Sequence, residues 1–343
     1  MKKIFVKIKT ITVIIAAFAV TAISCEKKQT TPNDDIKEDG KDVYVAGSNV
    51  DNAVVWKNGS ILYTLTDGTK EAIAESIYVI GSDVYVAGYE ENERGNYVAK
   101  VWKNGIATEL TDGTKNAVAE SIFVSGSDVY VAGYEENGSG KCFAKIWKNG
   151  IATDLTDGTS KGSFALSIYV AGSDIYVAGM KEGDNSSYLA TVWENGKAIT
   201  LATSATYALA NSVHVSGNDV YVAGEWENGG NSYAMVWENG IAQKLTSGAN
   251  SACAYSVFVS GNDVYVGGYE GKSAIVWKNG IAQKLNNSTS YADVYSVFVS
   301  DNSVYAAGRT DNGSGRAVAT VWENGVKQII GTSGSFAESI FVK

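Results

Sequence analysis

The stretch SIFVSGSDVYVAG at residues 121–133 is followed, after a variable loop, by KIWKNGIATDL at residues 145–155. Short apolar runs separated by Gly- and Asn-containing turns are typical of β-strands joined by hairpins. The Asn149-Gly150 pair indicates a two-residue type I′ turn, which needs positive φ at both central positions. We therefore predict four strands in this unit, at residues 121–124, 128–133, 144–148 and 151–155.

The same unit occurs seven times along the chain. Its tryptophan recurs every 40 to 46 residues, at Trp56, Trp102, Trp147, Trp193, Trp237, Trp277 and Trp322. An Asn-Gly pair follows two residues after each of these tryptophans. A period in this range with several short strands per unit indicates a β-propeller. The predicted fold is all-β, a seven-bladed β-propeller of four-stranded blades.

The polarity of the strands predicts their order within a blade. Strands one and two are almost wholly apolar, whereas strand four carries polar residues such as Glu109 and Asp154. We therefore expect strand one at the centre and strand four at the outer edge, where charge discourages edge-to-edge pairing. The repeats begin with strand two near Asp42 and end with strand one at residues 339–342. The last blade is thus predicted to combine a C-terminal innermost strand with N-terminal strands two to four.

The repeat resembles that of kelch-type propellers, which are also closed by a C-terminal innermost strand. The resemblance rests on SIFVSGSDVYVAG, a loop and then KIW, and it covers the whole repeat region. Kelch blades carry a Gly-Gly doublet after strand two, and here only Gly267-Gly268 supplies it. The WD-repeat signature and the Asp-box of sialidases are absent. The resemblance implies the fold and carries over no catalytic residues.

The N-terminus is typical of an export signal. Four lysines precede an apolar run, and Ala22-Ile23-Ser24 stands directly before Cys25, which resembles the lipobox of bacterial lipoproteins. We predict a lipoprotein signal peptide at 1–24, lipidation of Cys25, a flexible polar tether at 25–41 and the propeller at 42–343. This predicts a protein of the bacterial cell envelope, anchored at the outer membrane or the cell surface. Ordinary cleavage beside an incidental cysteine is the alternative.

Charge and cysteine content restrict the partners. Removing residues 1–24 deletes four lysines and no acidic residue, so the formal charge of −9 becomes −13. Such an acidic domain is a poor nucleic-acid binder, because phosphate contacts need clustered Lys and Arg. We expect no nucleic-acid partner, membrane contact through the lipid anchor alone, and a monomer. Cys142 and Cys253 fall in blades that are not neighbours, so no disulfide is expected.

The sharpest difference among the repeats is the residue before a serine that all seven units share. In chain order it is Glu75, Glu120, Leu166, Asn211, Tyr255, Tyr295 and Glu338. Once the ring closes, the three glutamates lie on consecutive blades and the two tyrosines adjoin them. We predict that these five side chains, with Trp226, bind a ligand at the channel mouth on the face with variable loops, since aromatic rings beside carboxylates suit a sugar or a cationic group. Drift among duplicated repeats is the alternative.

No set of residues indicates catalysis, a metal or a cofactor. His214 is the only histidine and occupies a position that is Tyr or Phe in the other repeats, which indicates packing. The aspartates that begin strand two are expected to accept hydrogen bonds in turns. The leading hypothesis is a lipid-anchored binding or scaffold module for a glycan or a protein, rather than an enzyme. The alternatives are a carbohydrate-active hydrolase or lyase that uses the glutamates, and purely structural display.

Overall fold

The computed structural model describes residues 40–156, 162–183, 187–202, 207–287 and 289–343. These residues form 28 strands and no helix. The described part of the chain accordingly has no helix that could cross a membrane. The predicted signal peptide, Cys25 and all of the predicted tether up to residue 39 lie outside the described residues.

The strands form seven four-stranded antiparallel sheets, the blades of a β-propeller. Blade 1 contains β1 (Val43–Asn49), β2 (Asn52–Lys57), β3 (Ser60–Thr64) and β28 (Ser335–Val342). Blade 2 contains β4 (Ala72–Ile80), β5 (Asp83–Glu91), β6 (Tyr97–Lys103) and β7 (Ile106–Glu109). Blade 3 contains β8 (Ala117–Ser125), β9 (Asp128–Glu136), β10 (Cys142–Lys148) and β11 (Ile151–Asp154). Blade 4 contains β12 (Ser163–Ala171), β13 (Asp174–Glu182), β14 (Tyr188–Glu194) and β15 (Lys197–Thr200).

The remaining three blades follow the same plan. Blade 5 contains β16 (Tyr207–Ser216), β17 (Asp219–Asn228), β18 (Asn231–Glu238) and β19 (Ile241–Lys244). Blade 6 contains β20 (Ala252–Ser260), β21 (Asp263–Glu270), β22 (Ser273–Lys278) and β23 (Ile281–Lys284). Blade 7 contains β24 (Ala292–Ser300), β25 (Ser303–Asp311), β26 (Ala317–Glu323) and β27 (Val326–Ser333).

The ring closes in blade 1, as the sequence predicts. The order of its strands is β28-β1-β2-β3, so the C-terminal strand is the innermost strand of a blade whose other strands are N-terminal. The register pairs Val43 with Val342 and Ala46 with Ser339. Just before β1 and just after β28, the backbones of Asp42 and Lys343 exchange two hydrogen bonds of 2.9 Å. The two ends of the described chain therefore hold each other in one sheet.

The hydrophobic core lies between the blades. All seven repeat tryptophans are at most 1% exposed. Trp102 of blade 2, for example, belongs to one cluster with Tyr44, Ala46 and Val55 of blade 1. A buried aromatic side chain removes roughly 150–250 Å² from water, which at about 25 cal/mol/Å² stabilises the fold by up to about 4–6 kcal/mol. The repeat tryptophans therefore pack between neighbouring blades.

The Asn-Gly turns also have the predicted geometry. The asparagines have φ between 49° and 52°, and the glycines after them have φ between 78° and 84°. The side chain of Asn149 accepts a hydrogen bond from the Val129 amide at 2.9 Å and donates one to Asp128 at 2.9 Å. The equivalent asparagines of five other blades bond an aspartate in the same way. The repeated aspartates therefore brace turns, as expected, and no cluster of metal ligands occurs among the described residues.

The first and second strands of the blades are longer than the sequence predicts. In blade 3, β8 begins at Ala117 rather than at residue 121, and β9 continues past Gly133 to Glu136. The additional residues include Ala117 and Ala119, which are fully buried, because small side chains let adjacent blades approach closely. The equivalent extension of β20 in blade 6 includes Cys253.

Candidate functional site

The first strand of every blade contains a β-bulge at the residue before the shared serine. In blade 2, Ala74 pairs with Gly88 and Ser76 pairs with Ala87, so Glu75 is left without a partner. The same shift recurs in the other six blades. A bulge bends the strand and redirects a side chain. The seven unpaired residues, here called the mouth ring, are Glu338, Glu75, Glu120, Leu166, Asn211, Tyr255 and Tyr295 in blade order.

A glycine in the second strand makes the bulge possible. A Cβ atom built on Gly88 would lie 2.0 Å from the carbonyl oxygen of Ile73. The equivalent glycines of all other blades meet a first-strand carbonyl oxygen at 1.9–2.0 Å. Only a residue without a side chain allows this approach, and a glycine inside a strand is a known sign of a bulge. The final Gly of each VAG, VGG or AAG sequence was therefore the available signal for the mouth ring's geometry.

The shared serines connect the blades in a closed ring. The hydroxyl oxygen of Ser76 accepts a hydrogen bond of 3.2 Å from the Ile122 amide in blade 3. Each of the other serines bonds an amide of the next blade at 3.1–3.2 Å, and Ser339 of blade 1 completes the circle with Ile77. Because all seven bonds lie next to the bulge, they hold the mouth ring at a fixed place on each first strand.

An aromatic collar lies three residues further along the first strands. Its members are Tyr78, Phe123, Tyr169, His214, Phe258, Phe298 and Phe341, and adjacent rings have centroids 4.7–5.1 Å apart around the full circle. His214 packs between Tyr169 and Phe258, which confirms its predicted place in an aromatic slot. Burial lowers the pKa of His214 to about 4, so the ring is neutral near pH 7. The collar lines the channel below the mouth ring.

Three of the mouth-ring residues form a half-buried group of carboxylic acids. Burial, with a smaller contribution from the charge of Glu75, raises the pKa of Glu338 to about 8, and Arg309 opposes the rise. Burial and the charge of Glu338 raise the pKa of Glu120 to about 7. The pKa of Glu75 lies well above its ordinary value because of burial and the charge of Glu120. Near pH 7 the group therefore retains protons and has the capacity both to donate and to accept hydrogen bonds.

The two mouth-ring tyrosines contact each other. The rings of Tyr255 and Tyr295 meet edge to face with centroids 5.4 Å apart, and Tyr269 lies 5.9 Å from Tyr255. The charge of Glu338 contributes to the raised pKa of Tyr295, after burial and Asp293, so the tyrosine pair lies beside the acidic group. The mouth ring thus has an aromatic arc next to an acidic arc. That these residues bind a ligand stays a prediction.

Trp226 lies elsewhere in blade 5. Its ring packs on Tyr233 with centroids 6.3 Å apart, and the Lys244 ammonium lies 4.8 Å from its centroid. These partners belong to the third and outermost strands of the same blade, whereas the rings of Tyr255 and Tyr295 contact each other edge to face. The structure therefore brings together five of the six predicted ligand-binding residues and places Trp226 apart from them.

The sequence-based selection overlooked polar residues beside the tyrosines. In blade 7, Arg309 donates from Nε to the buried Asp293 carboxylate at 2.5 Å. Both positions vary among the repeats: Asp293 corresponds to Ile73 in blade 2, and Arg309 follows the bulge glycine as Tyr89 does there. Comparison of the repeats would have singled out both positions as variable, but their pairing follows only from the register of β24 with β25.

A second overlooked group lies between blades 5 and 6. Ser232 donates a hydrogen bond of 2.6 Å to Glu225, whose pKa is raised by burial. Asn211 of the mouth ring donates to the Ala254 carbonyl at 2.9 Å and to the Cys253 sulfur at 3.3 Å. Both described cysteines are free, as predicted. Asn211 is thus held in place by the neighbouring blade.

Comparisons with known proteins give no family for this chain, and no curated protein matches it. Among solved structures, TolB from Acinetobacter baumannii is 12% identical over 71% of this chain and 62% of that chain, with a TM-score of 0.48. YjhT is 12% identical over 73% of this chain and 97% of that chain, with a TM-score of 0.42. An acylaminoacyl peptidase from Pyrococcus horikoshii is 9% identical over 76% of this chain and 53% of that chain, with a TM-score of 0.45.

These likenesses concern the fold alone. The chain spans less than two thirds of the length of TolB and about half of the peptidase. The seven-bladed β-propeller is established by the strand order and closure described above. Any role must be argued from this chain's own mouth ring.

Proposed function

We propose that this propeller is a binding module of the bacterial cell envelope that takes a glycan at its mouth ring. The observation that carries the proposal is the division of the ring into two adjoining arcs, with Glu338, Glu75 and Glu120 in one and Tyr255 and Tyr295 in the other. Tyrosine rings provide flat apolar surface for the C–H faces of a sugar. Carboxyl groups that retain protons supply both donors and acceptors for its hydroxyl groups.

The geometry around the ring supports the same proposal. Serine hydrogen bonds join the first strands at the level of the mouth ring, so its backbone is rigid before a ligand arrives. Preorganised sites of this kind lose less entropy on binding. The collar beneath is lined by aromatic side chains in mutual contact. A sugar ring would therefore rest on an apolar floor with polar groups at its rim.

The setting of the module is part of the proposal. Lipidation at Cys25 would anchor a kelch-like, monomeric propeller to the outer membrane or the cell surface through the tether at 25–41. The acidic charge favours neither nucleic acid nor direct contact with anionic lipids. A Cys25→Ala variant tests the anchor. We expect the variant to leave the membrane fraction when cells are lysed, and its retention there would refute lipidation.

A glycan array with the mature domain tests the binding function. We expect binding to neutral or acidic oligosaccharides that is lost in a variant carrying both Tyr255→Ala and Tyr295→Ala. Tyr291→Ala is the matched control, because Tyr291 is 56% exposed and packs under Lys272 outside the mouth ring. Glycan binding that survives the double substitution would refute the mouth as the site. Retention of a protein by the mature domain, without any glycan signal, would favour the protein ligand instead.

A carbohydrate-active hydrolase or lyase is the second candidate. The observation in its favour is the raised pKa of Glu120 and Glu338, since a carboxylic acid that holds its proton near pH 7 can act as a general acid. Incubation with polysaccharides, followed by an assay for new reducing ends or unsaturated products, separates the two functions. Turnover that disappears in Glu338→Gln would support the enzyme, and binding without turnover would support the module.

A further inference from the structure

Arg309 is an anchored cation at the edge of the mouth ring. Its Nε atom donates to Asp293, whose side chain is only 9% exposed. Its guanidinium also lies over the ring of Phe336, 5.7 Å from the centroid. The ion pair with Asp293 fixes one edge of the guanidinium, and the ring of Phe336 packs against its face. The side chain therefore has little conformational freedom. The Arg309 side chain is 37% exposed, so it is not sealed from solvent.

The position of Arg309 sets blade 7 apart from the other blades. The residue that follows the bulge glycine is Ser48, Tyr89, Tyr134, Met180, Glu225 or Tyr269 in blades 1 to 6. Arg309 is the only cation among the seven. The charge of Arg309 lowers the pKa of both Glu338 and Tyr295, and the charge of Tyr255 raises the pKa of Arg309. Arg309 therefore lies where the acidic arc and the aromatic arc of the mouth ring meet.

The anchoring bond leaves the outer end of the guanidinium available. The ion pair uses Nε, and no acceptor within the described residues bonds either Nη group. Two parallel N–H groups on a fixed guanidinium match the two oxygens of a carboxylate. An isolated arginine on a surface would not discriminate, but this one stands beside a pair of tyrosines that can hold a sugar ring.

We propose that the mouth recognises an acidic sugar of the uronate class, with the Nη groups of Arg309 bound to its carboxylate and the Tyr255–Tyr295 pair against its ring. The inference rests on the proposed glycan-binding function and names the ligand class of that site. A peptide with a free C-terminal carboxylate offers the same charge. The sugar is favoured because its flat faces and hydroxyl groups match the tyrosines and the protonated carboxyl groups, respectively.

The nearby glutamates do not repel the ligand when they hold their protons. The charged and titratable groups that face Arg309 are Asp293 and Tyr295 on β24, Glu338 on β28 and Tyr255 on β20. Asp293 neutralises Arg309 in part, and Glu338 titrates with a pKa of about 8. A uronate therefore binds best below pH 8. Ionisation of the glutamates at higher pH adds negative charge beside it and weakens binding.

Calorimetric titration of the mature domain with three matched oligosaccharides tests the inference. The probes are α-1,4-linked trigalacturonate, its methyl ester and the galactotriose of the same linkage. We expect trigalacturonate to bind about 10- to 100-fold more tightly than either neutral probe, in line with charge-assisted hydrogen bonds. This preference should vanish in Arg309→Gln and persist in Arg316→Gln, which alters an exposed arginine of the same blade.

A second variant guards against loss of folding. Arg309→Gln alone leaves Asp293 buried and unpaired, whereas Arg309→Gln with Asp293→Asn removes both charges and should fold while lacking the preference. The wild-type preference should also decline between about pH 6.5 and about pH 9, following the ionisation of Glu338.

The outcomes are distinguishable. Equal binding of all three probes that still depends on Tyr255 and Tyr295 would overturn the uronate inference and leave the glycan function intact. A preference for trigalacturonate in the folded double variant would overturn the role of Arg309. Tighter binding of a short peptide with a free C-terminus than of trigalacturonate would overturn the sugar class. Absence of binding to every glycan would refute the proposed function itself.

Discussion

The three glutamates of the mouth ring should make the fold less stable as pH rises, and Glu338→Gln should relieve part of this loss. Glu338 has a pKa of about 8 in the folded chain, above its ordinary value of 4.5. Between these values the folded chain binds more protons than the unfolded chain. The free energy of unfolding therefore contains a contribution that is complete below about pH 4.5 and is lost as pH rises through 8.

The magnitude follows from the size of the shift. One pKa unit corresponds to about 1.36 kcal/mol, so full ionisation of Glu338 would cost at most about 5 kcal/mol. Water at the mouth and the nearby Arg309 reduce this figure, and we expect about 2–3 kcal/mol. In a chain of this size 1 kcal/mol changes Tm by roughly 1.5–2 °C. The difference between wild type and Glu338→Gln should thus change by roughly 3–6 °C from pH 5 to pH 9.

Thermal unfolding followed by tryptophan fluorescence at several pH values measures this difference. Glu93→Gln provides the control, because the Glu93 side chain is 90% exposed. We expect the curves of wild type and Glu93→Gln to fall together between about pH 5 and about pH 8, with Glu338→Gln flatter. Parallel curves for all three proteins would mean that Glu338 is ionised and solvated in the folded chain. That result would refute the assignment of a protonated acidic arc.

Three further substitutions test the ring itself. His214→Phe should keep the fold at pH 7 and make it more stable in acid. Because His214 has a folded pKa of about 4, wild type loses stability as pH falls from about 6.5 to 4. Urea titrations at pH 4.5 should therefore give a higher free energy of unfolding for the variant than for wild type. Ile340→Ala, at 3% exposure in the closing strand, should cost about 2–5 kcal/mol in the same assay, against less than about 0.5 kcal/mol for Ile281→Ala at 76% exposure. Ser76→Ala removes the acceptor of the Ile122 amide and should cost about 1–2 kcal/mol of unfolding free energy; an unchanged midpoint would mean that water replaces the bond.

The fold could be predicted because its signals are local and repeated. Asn149 and Gly150 determine a turn by their own φ preferences, and Trp147 occupies the same buried place in its blade as its six counterparts. Each of these signals is weak on its own, but each occurs in all seven repeats. Closure in blade 1 followed from the phase at which the repeats begin and end.

The site could be predicted only in part, because its chemistry depends on contacts between distant residues. The mouth-ring positions were visible as the variable residue before Ser76 and its equivalents. The pairing of Arg309 with Asp293, by contrast, requires knowledge of the register of β24 with β25. Likewise, the carboxyl group of Glu338 has an ordinary pKa in an unfolded chain, and its shift arises from burial beside Glu75.

The bulge explains why so uniform a repeat can carry a specific site. Gly88 and its equivalents exclude a side chain at the point of closest approach, and the serines bond the next blade at the following residue. The close approach depends only on the glycine backbone, and the bond to the next blade depends only on the serine hydroxyl group. Neither restricts the side chain of the mouth-ring residue. Leu166, Asn211 and Tyr255 therefore occupy the same backbone site in different blades. Substitution at this one position therefore changes the chemistry of the mouth without altering the tryptophan packing between the blades.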